Sequence, residues 1–191
     1  MLVIDVQRDF CPGGALAVKN GDEVVPGLNR VIEAFERQSL PMFFTRDWHP
    51  ADHISFASRG GIWPPHCVQG MPGAEFHPGL RIPAAAVIIS KGSARDGEAY
   101  SGFQGTDLEE RLKRLAVDKI FLGGLTTDYC VRESALDARK AGFSVTVMRD
   151  CVRAVDAKPG DGGRALADMR RAGAKLAMSS EVVRWLASTQ H

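Results

Sequence analysis

Ile120-Phe121-Leu122-Gly123-Gly124-Leu125-Thr126-Thr127-Asp128-Tyr129-Cys130 is a short apolar run that drives into a glycine-rich turn, with a helix-like stretch behind it. The run at 120–122 reads as a buried strand. The helix behind it extends from Thr127 to about Lys140 and stops at Gly142, as a C-terminal glycine should. Cys130 falls near the start of that helix. Backbone N–H groups there lack intrahelical acceptors, and the helix dipole favours negative charge, so the position suits a thiolate, the nucleophilic form of cysteine. A small buried hydrophobe is the other reading of a lone cysteine.

The same strand–loop–helix unit recurs on either side. Apolar runs at 2–6, 41–45, 85–90, 144–148 and 175–178 read as further strands. Between 24 and 35, Val24, Val25, Leu28, Val31, Ile32 and Phe35 recur at helical spacing, with Arg30, Glu33 and Glu36 on the wet side. Thr106 with Glu109 three residues on carries a capping-box pattern and opens another helix. The stretch at 163–171 is a helix ended by Gly173, and Ser179 or Ser180 caps a last one through Leu186. Continuous apolar strands alternating with helices predict one α/β domain over residues 1–191, its parallel sheet covered on both faces. Ligands in such folds bind beyond the carboxyl ends of the strands. Asp5, Asp47, His49, Lys91 and Cys130 all fall at or just after those ends. The segment at 48–83 breaks the alternation. It is long, rich in Gly, Pro, His and aromatics, and such loops are often functional.

Composition narrows the classes of partner. Lysine and arginine number 24 against 23 acidic residues, a net charge of +1, which gives no reason to expect nucleic acid or an anionic membrane. The apolar start meets Asp5 at once, too soon for a signal peptide, and no apolar run approaches the length of a membrane span. Cys11, Cys67, Cys130 and Cys151 form no CxxC pair, so free thiols in a reducing, cytoplasmic compartment are the expectation. A homodimer is the expectation on general frequency alone.

Several residues carry possible chemistry. Asp5 interrupts an apolar run, where a carboxylate is costly unless paired; it either binds loop amides or serves as a general base. Asp9 reads as a solvated or capping residue. Lys91 is either a surface lysine or a partner for Asp5 that also stabilises negative charge in a transition state. Asp47 and His49 stand two apart in an extended segment and point the same way, so they can share one ion, and His66 could reach it by loop closure. Two histidines and one carboxylate with open positions make a catalytic rather than structural metal site; zinc, manganese and iron all suit it. His53 is an outer candidate for that site and His77 a structural residue. Cys67 reads as a buried thiol or, less readily, a ligand; Cys11 and Cys151 read as structural. Phe10, Trp63 and Tyr100 lie in loops near these sites, and Phe10 and Trp63 could pack against a flat substrate ring.

Taken together, these stretches resemble a known family. Asp5-Val6-Gln7-Arg8-Asp9-Phe10, Asp47-Trp48-His49-Pro50, His53-Ile54-Ser55-Phe56-Ala57, Trp63-Pro64-Pro65-His66-Cys67-Val68-Gln69-Gly70, Gly73-Ala74-Glu75-Phe76-His77-Pro78, Lys91-Gly92, Tyr100-Ser101-Gly102-Phe103 and Gly124-Leu125-Thr126-Thr127-Asp128-Tyr129-Cys130-Val131 look like those of nicotinamidases, in the cysteine-hydrolase branch of the isochorismatase-like superfamily. The resemblance implies a three-layer α/β/α sandwich around a six-stranded, mostly parallel sheet. It implies a triad of Asp5, Lys91 and Cys130, and a divalent metal, zinc foremost, on Asp47, His49 and His66. It implies a cis peptide at Leu125–Thr126 that would aim the Thr126 and Cys130 N–H groups at an oxyanion. Tyr129 is a position where relatives differ, and substrate preference would be set partly there. The implied reaction is hydrolysis of nicotinamide, and of pyrazinamide, through a cysteine thioester. A related amidohydrolase acting on carbamoyl or ureido compounds, or a non-catalytic metal-binding member of the fold, are the alternatives.

Overall fold

A computed structural model describes residues 1–188. Six strands form one sheet: β1 (Leu2–Ile4), β2 (Phe43–Asp47), β3 (Val87–Lys91), β4 (Lys119–Leu125), β5 (Ser144–Arg153) and β6 (Lys175–Ala177). Their order is β3-β2-β1-β4-β5-β6, and every neighbouring pair runs parallel. Among the described residues five α-helices accompany them: α1 (Val24–Arg37), α2 (Leu108–Arg114), α3 (Arg132–Lys140), α4 (Asp161–Arg171) and α5 (Ser179–Ser188).

The strand period of two divides the core. Val3, Phe44 and Phe121 pack on one face with Leu28, Ile32 and Val182 of α1 and α5. Leu2, Ile4, Phe43 and Leu122 pack on the other with Leu112, Ala135 and Met169 of α2, α3 and α4. The apolar stripe read from α1 is the buried one: Val24, Val25, Leu28, Val31, Ile32 and Phe35 all leave solvent. Each such side chain contributes about 1.5–3 kcal/mol on burial, so this stripe decides where α1 sits.

The Gly123-Gly124 pair sets how closely the layers approach. A Cβ on Gly123 would lie 2.9 Å from Leu28 Cδ2 and 3.1 Å from Cys151 Cβ. Gly124, at φ +130°, meets the Ile4 carbonyl oxygen where its Cβ would be, at 2.0 Å. Neither place tolerates a side chain.

Several expectations from the sequence are corrected. Strand β5 runs on to Arg153, and its pairing with β4 shifts register between Leu122 and Gly124. The helix after Thr127 begins as one π-helical turn, Thr127–Val131, and becomes α-helical only at Arg132. The capping box at Thr106 does not form. Helix α2 starts at Leu108; Thr106 Oγ1 donates to the Gly102 carbonyl and accepts the Leu108 N–H, while Glu109 pairs with Lys113. A hydroxyl one residue too early caps a turn instead. The 48–83 segment is pinned by three isolated bridges, Gln7–Phe76, His49–Val68 and Phe56–Trp63. Among the described residues, no helix is long and apolar enough to cross a membrane.

Candidate active site

Parallel strands end together, and here four chain segments deliver side chains to one rim. Asp5 follows β1, Asp47 ends β2, Lys91 ends β3 and Cys130 follows β4. Asp47 and Lys91 are register partners across β2 and β3, which fixes their proximity by backbone pairing alone.

Lys91 Nζ is the hub. It lies 2.9 Å from Asp5 Oδ2 and 3.4 Å from Cys130 Sγ, donates to the Ala99 carbonyl at 3.2 Å, and is in direct contact with Asp47 Oδ1. The Asp5 contact is an ion pair rather than an aligned hydrogen bond, so Oδ2 keeps a lone pair without a well-directed donor. Oδ1 of Asp5 accepts the Thr45 hydroxyl at 2.6 Å. Oxygens of Asp5 and Asp47 and the sulfur of Cys130 all lie within 4.8 Å of one another. Asp5 and Lys91 are buried, and Asp5 sits at φ +45°, a left-handed conformation rare for a residue with a side chain.

Burial dominates the electrostatics. It pushes the Asp5 carboxyl above its ordinary value, with Lys91 opposing and Asp47 adding to the rise. It acts against the Lys91 ammonium too, but the Asp47 and Asp5 carboxylates outweigh it and hold that amine well above its usual value. The Cys130 thiol is pushed well up by burial; Lys91 opposes, and the Asp5 and Asp47 carboxylates reinforce. The helix start, which suits a thiolate, is therefore not what dominates here. Cys130 is only 5% exposed, in the π turn rather than at an open helix start, and its proton must be removed by a neighbour.

Beside this cluster Asp47, His49 and His66 bring three buried ligand atoms within 4.8 Å of one another. His49 Nδ1 lies 2.9 Å from the Gly92 carbonyl and His66 Nδ1 2.8 Å from the Pro64 carbonyl. A carbonyl can only accept, so each Nδ1 carries a proton and, in the neutral ring, each Nε2 keeps a lone pair. Those two Nε2 atoms lie 3.5 and 4.0 Å from Asp47 Oδ2. Two imidazole lone pairs and a carboxylate oxygen at this separation fit a divalent cation bound at about 2.0–2.2 Å. Gly92, at φ +59°, holds its carbonyl here, and a Cβ on it would strike His49 Cε1 at 2.5 Å. His53 stacks on His49 with ring centroids 4.2 Å apart, but its nitrogens are engaged by Ser55 Oγ at 2.7 Å and the Gly97 carbonyl at 3.0 Å. It supports the cluster and adds no ligand. Cys67 is buried with its thiol pushed well above its ordinary value, and His77 accepts the Gly79 N–H.

A cavity of about 20 Å³ lies between the two clusters, lined by Phe10, Asp47, Trp63, His66, Tyr100, Thr126, Tyr129 and Cys130 among others. All four aromatics singled out in the sequence therefore meet here. Trp63 and Tyr129 stand edge to face at 5.0 Å, and Trp63 Nε1 donates to the Tyr100 hydroxyl at 3.0 Å. Larger grooves lie elsewhere; one of about 240 Å³, beside Met1, Phe35 and Trp185, holds no histidine and no cysteine. The Leu125–Thr126 bond is cis, as expected.

Sequence reading missed the residues that brace this rim. Gln7 donates from Nε2 to the carbonyls of Asp47 and Ala74 and accepts the Asp47 N–H, tying β2 to the long loop. Asp9, read as a solvated or capping residue, takes the capping role. It accepts the Cys67 N–H at 2.7 Å and the Ala15 N–H at 3.1 Å, joining two loops. Asp128 accepts the N–H groups of Val155 and Asp156, anchoring the nucleophile's turn to the segment after β5.

The isochorismatase-domain model matches residues 1–181. A nicotinamidase of Escherichia coli (strain K12) is 39% identical over 92% of each chain. A pyrazinamidase of Pyrococcus horikoshii, solved in complex with zinc, is 50% identical, with TM-score 0.89 over 93% of this chain and 97% of that one. The PnC1 protein of L. infantum, solved in complex with nicotinate, is 36% identical, with TM-score 0.84 over 94% and 91%. With its parallel sheet, its carboxylate–lysine–cysteine rim and these likenesses, the chain belongs to the isochorismatase-domain family and, within it, to the nicotinamidases.

Proposed function

We propose that the protein hydrolyses nicotinamide to nicotinate and ammonia, and pyrazinamide likewise, with Asp5, Lys91 and Cys130 as the catalytic residues. One observation carries this reading: a single buried ammonium, Lys91 Nζ, touches the carboxylate of Asp5 and lies 3.4 Å from the sulfur of Cys130.

Asp5 takes the proton of the Cys130 thiol, and the sulfur attacks the amide carbon. The C–S bond forms and the carbonyl π pair moves to oxygen. The Thr126 and Cys130 N–H groups hold that oxyanion; losing one donor of this kind costs about 10²–10³ in rate. The C–N bond then breaks, and the Asp5 carboxyl gives its proton to the departing nitrogen, releasing ammonia. Water attacks the thioester with Asp5 again taking a proton, the C–S bond breaks, and the sulfur recovers its proton. Lys91 lowers the energy of the transient thiolate and keeps Asp5 oriented. Phe10, Trp63, Tyr100 and Tyr129 pack around the ring and exclude water. A zinc ion held by Asp47, His49 and His66 would supply a Lewis-acid contact for the ring nitrogen, and orientation of this kind is worth several kcal/mol.

The test is ammonia release from nicotinamide, pyrazinamide and carbamoyl or ureido compounds by the metal-loaded enzyme. Activity on the two ring carboxamides is expected, abolished in Cys130→Ala with the circular dichroism spectrum unchanged. Near-wild-type activity in that variant, or activity confined to carbamoyl compounds, overturns the reading.

A further inference from the structure

Thr126 keeps a hydroxyl that the fold does not use. The residue is 3% exposed, and its Oγ1 is fully buried with no hydrogen-bond partner in the protein. Its carbonyl is engaged twice, by the Tyr129 N–H at 3.2 Å and the Val131 N–H at 3.0 Å, which close the π turn. Among the described residues its N–H finds no acceptor. Two donors on one residue are therefore left unpaired, and that residue is among those lining the cavity with Cys130.

Buried hydroxyls are almost always paired, and an orphan points to strain, an unseen partner or a catalytic role. The only other buried side-chain atom without a hydrogen-bond partner among the described residues is Asp5 Oδ2, in the same site. A methyl group would fill the Thr126 position without any penalty of desolvation, so packing gives no reason for the oxygen.

We propose that the Thr126 hydroxyl donates a hydrogen bond to the substrate's carbonyl oxygen and strengthens it as that oxygen becomes an oxyanion, acting beside the N–H of the same residue. This rests on the amide-hydrolysis reading above and deepens it by adding a side-chain donor to the two backbone ones. Valence is unaffected: the hydroxyl keeps its proton throughout, while the π pair moves to oxygen on attack and returns when the C–N bond breaks. Hydrogen bonds to a charged acceptor are about twice as strong as neutral ones, so the bond gains most in the transition state and acts on kcat.

Thr126→Val, Thr126→Ala and Thr126→Ser test it. With nicotinamide, kcat falls about 10- to 100-fold in both hydroxyl-free variants, KM changes less than about threefold, and Thr126→Ser restores most of the rate. A merely structural role would not give that split. Thr126→Val, which removes an unpaired buried hydroxyl, melts no lower than wild type.

A second readout does not depend on the amide. Acylation of Cys130 by p-nitrophenyl acetate passes through the same oxyanion but offers no amide N–H. The burst rate therefore falls by a similar factor in the Val and Ala variants. An unchanged burst overturns the proposal, as does an unchanged kcat, or a loss that Ser fails to rescue. Wild type that acylates in a hydroxyl-dependent way yet releases no ammonia from nicotinamide refutes the substrate reading and upholds this one.

Discussion

Lys91 carries three demands at once, and each constrains how variants should be read. Its ammonium contacts Asp5, Asp47 and Cys130, so Asp47→Ala disturbs both the ion site and the ammonium beside the sulfur, whereas His66→Ala removes a ligand without removing a contact of that ammonium. The pH dependence follows from the same cluster. Asp5 must be ionised to take the thiol proton, and burial holds its carboxyl above the ordinary value. Activity is therefore lost as pH falls through that raised value, and the acid limb of kcat/KM in metal-saturated enzyme stands above about 3.9, the ordinary value for aspartate. An acid limb at or below the ordinary carboxylate range would remove Asp5 from this role. At this scale, residue types were legible in the sequence but protonation was not. The place of Cys130 near a helix start suits a thiolate, whereas the surrounding burial and two carboxylates push its thiol well above the ordinary value, with Lys91 opposing.

Elements determine which residues meet. Strand ends are readable from apolar runs, and the rule that ligands bind beyond them is enough to gather Asp5, Asp47, Lys91 and Cys130 from sequence. Thr45 and Gln7 escaped notice because each works across strands, on partners 40 residues away, with no local pattern to mark it. The π turn escaped too, since one extra residue per turn leaves the apolar spacing of α3 intact. The turn after β3 makes a sharp prediction. Gly92→Ala would place a methyl 2.5 Å from His49 Cε1 and 2.7 Å from its Nδ1, on a residue held at φ +59°. Weakening a histidine's outer support costs about 10- to 100-fold in metal affinity. A loss of that order is expected by metal titration, with Cys130 alkylation unaltered; wild-type affinity would show that His49 is not held by this carbonyl.

The molecule as a whole is tied through its rim. The long loop is anchored by Gln7, by Asp9 and by Asp47's neighbour His49, so an ion on Asp47, His49 and His66 would cross-link β2 to that loop. Metal at about 100 times its dissociation constant adds about 2.7 kcal/mol to stability. Chelator should therefore lower Tm and abolish turnover together, and re-addition restore both; a Tm indifferent to chelator would mean the ion is not held there. The small size of the cavity has a kinetic counterpart. About 20 Å³ is room for little more than one water molecule, whereas an aromatic ring needs about 150 Å³. Phe10, Trp63, Tyr100 and Tyr129 come from four separate stretches of chain, so seating a ring there asks their side chains to give way. A cycle limited by that rearrangement is expected: kcat should drop in step with microviscosity as sucrose is added, and a flat response would assign the slow step to bond making and breaking.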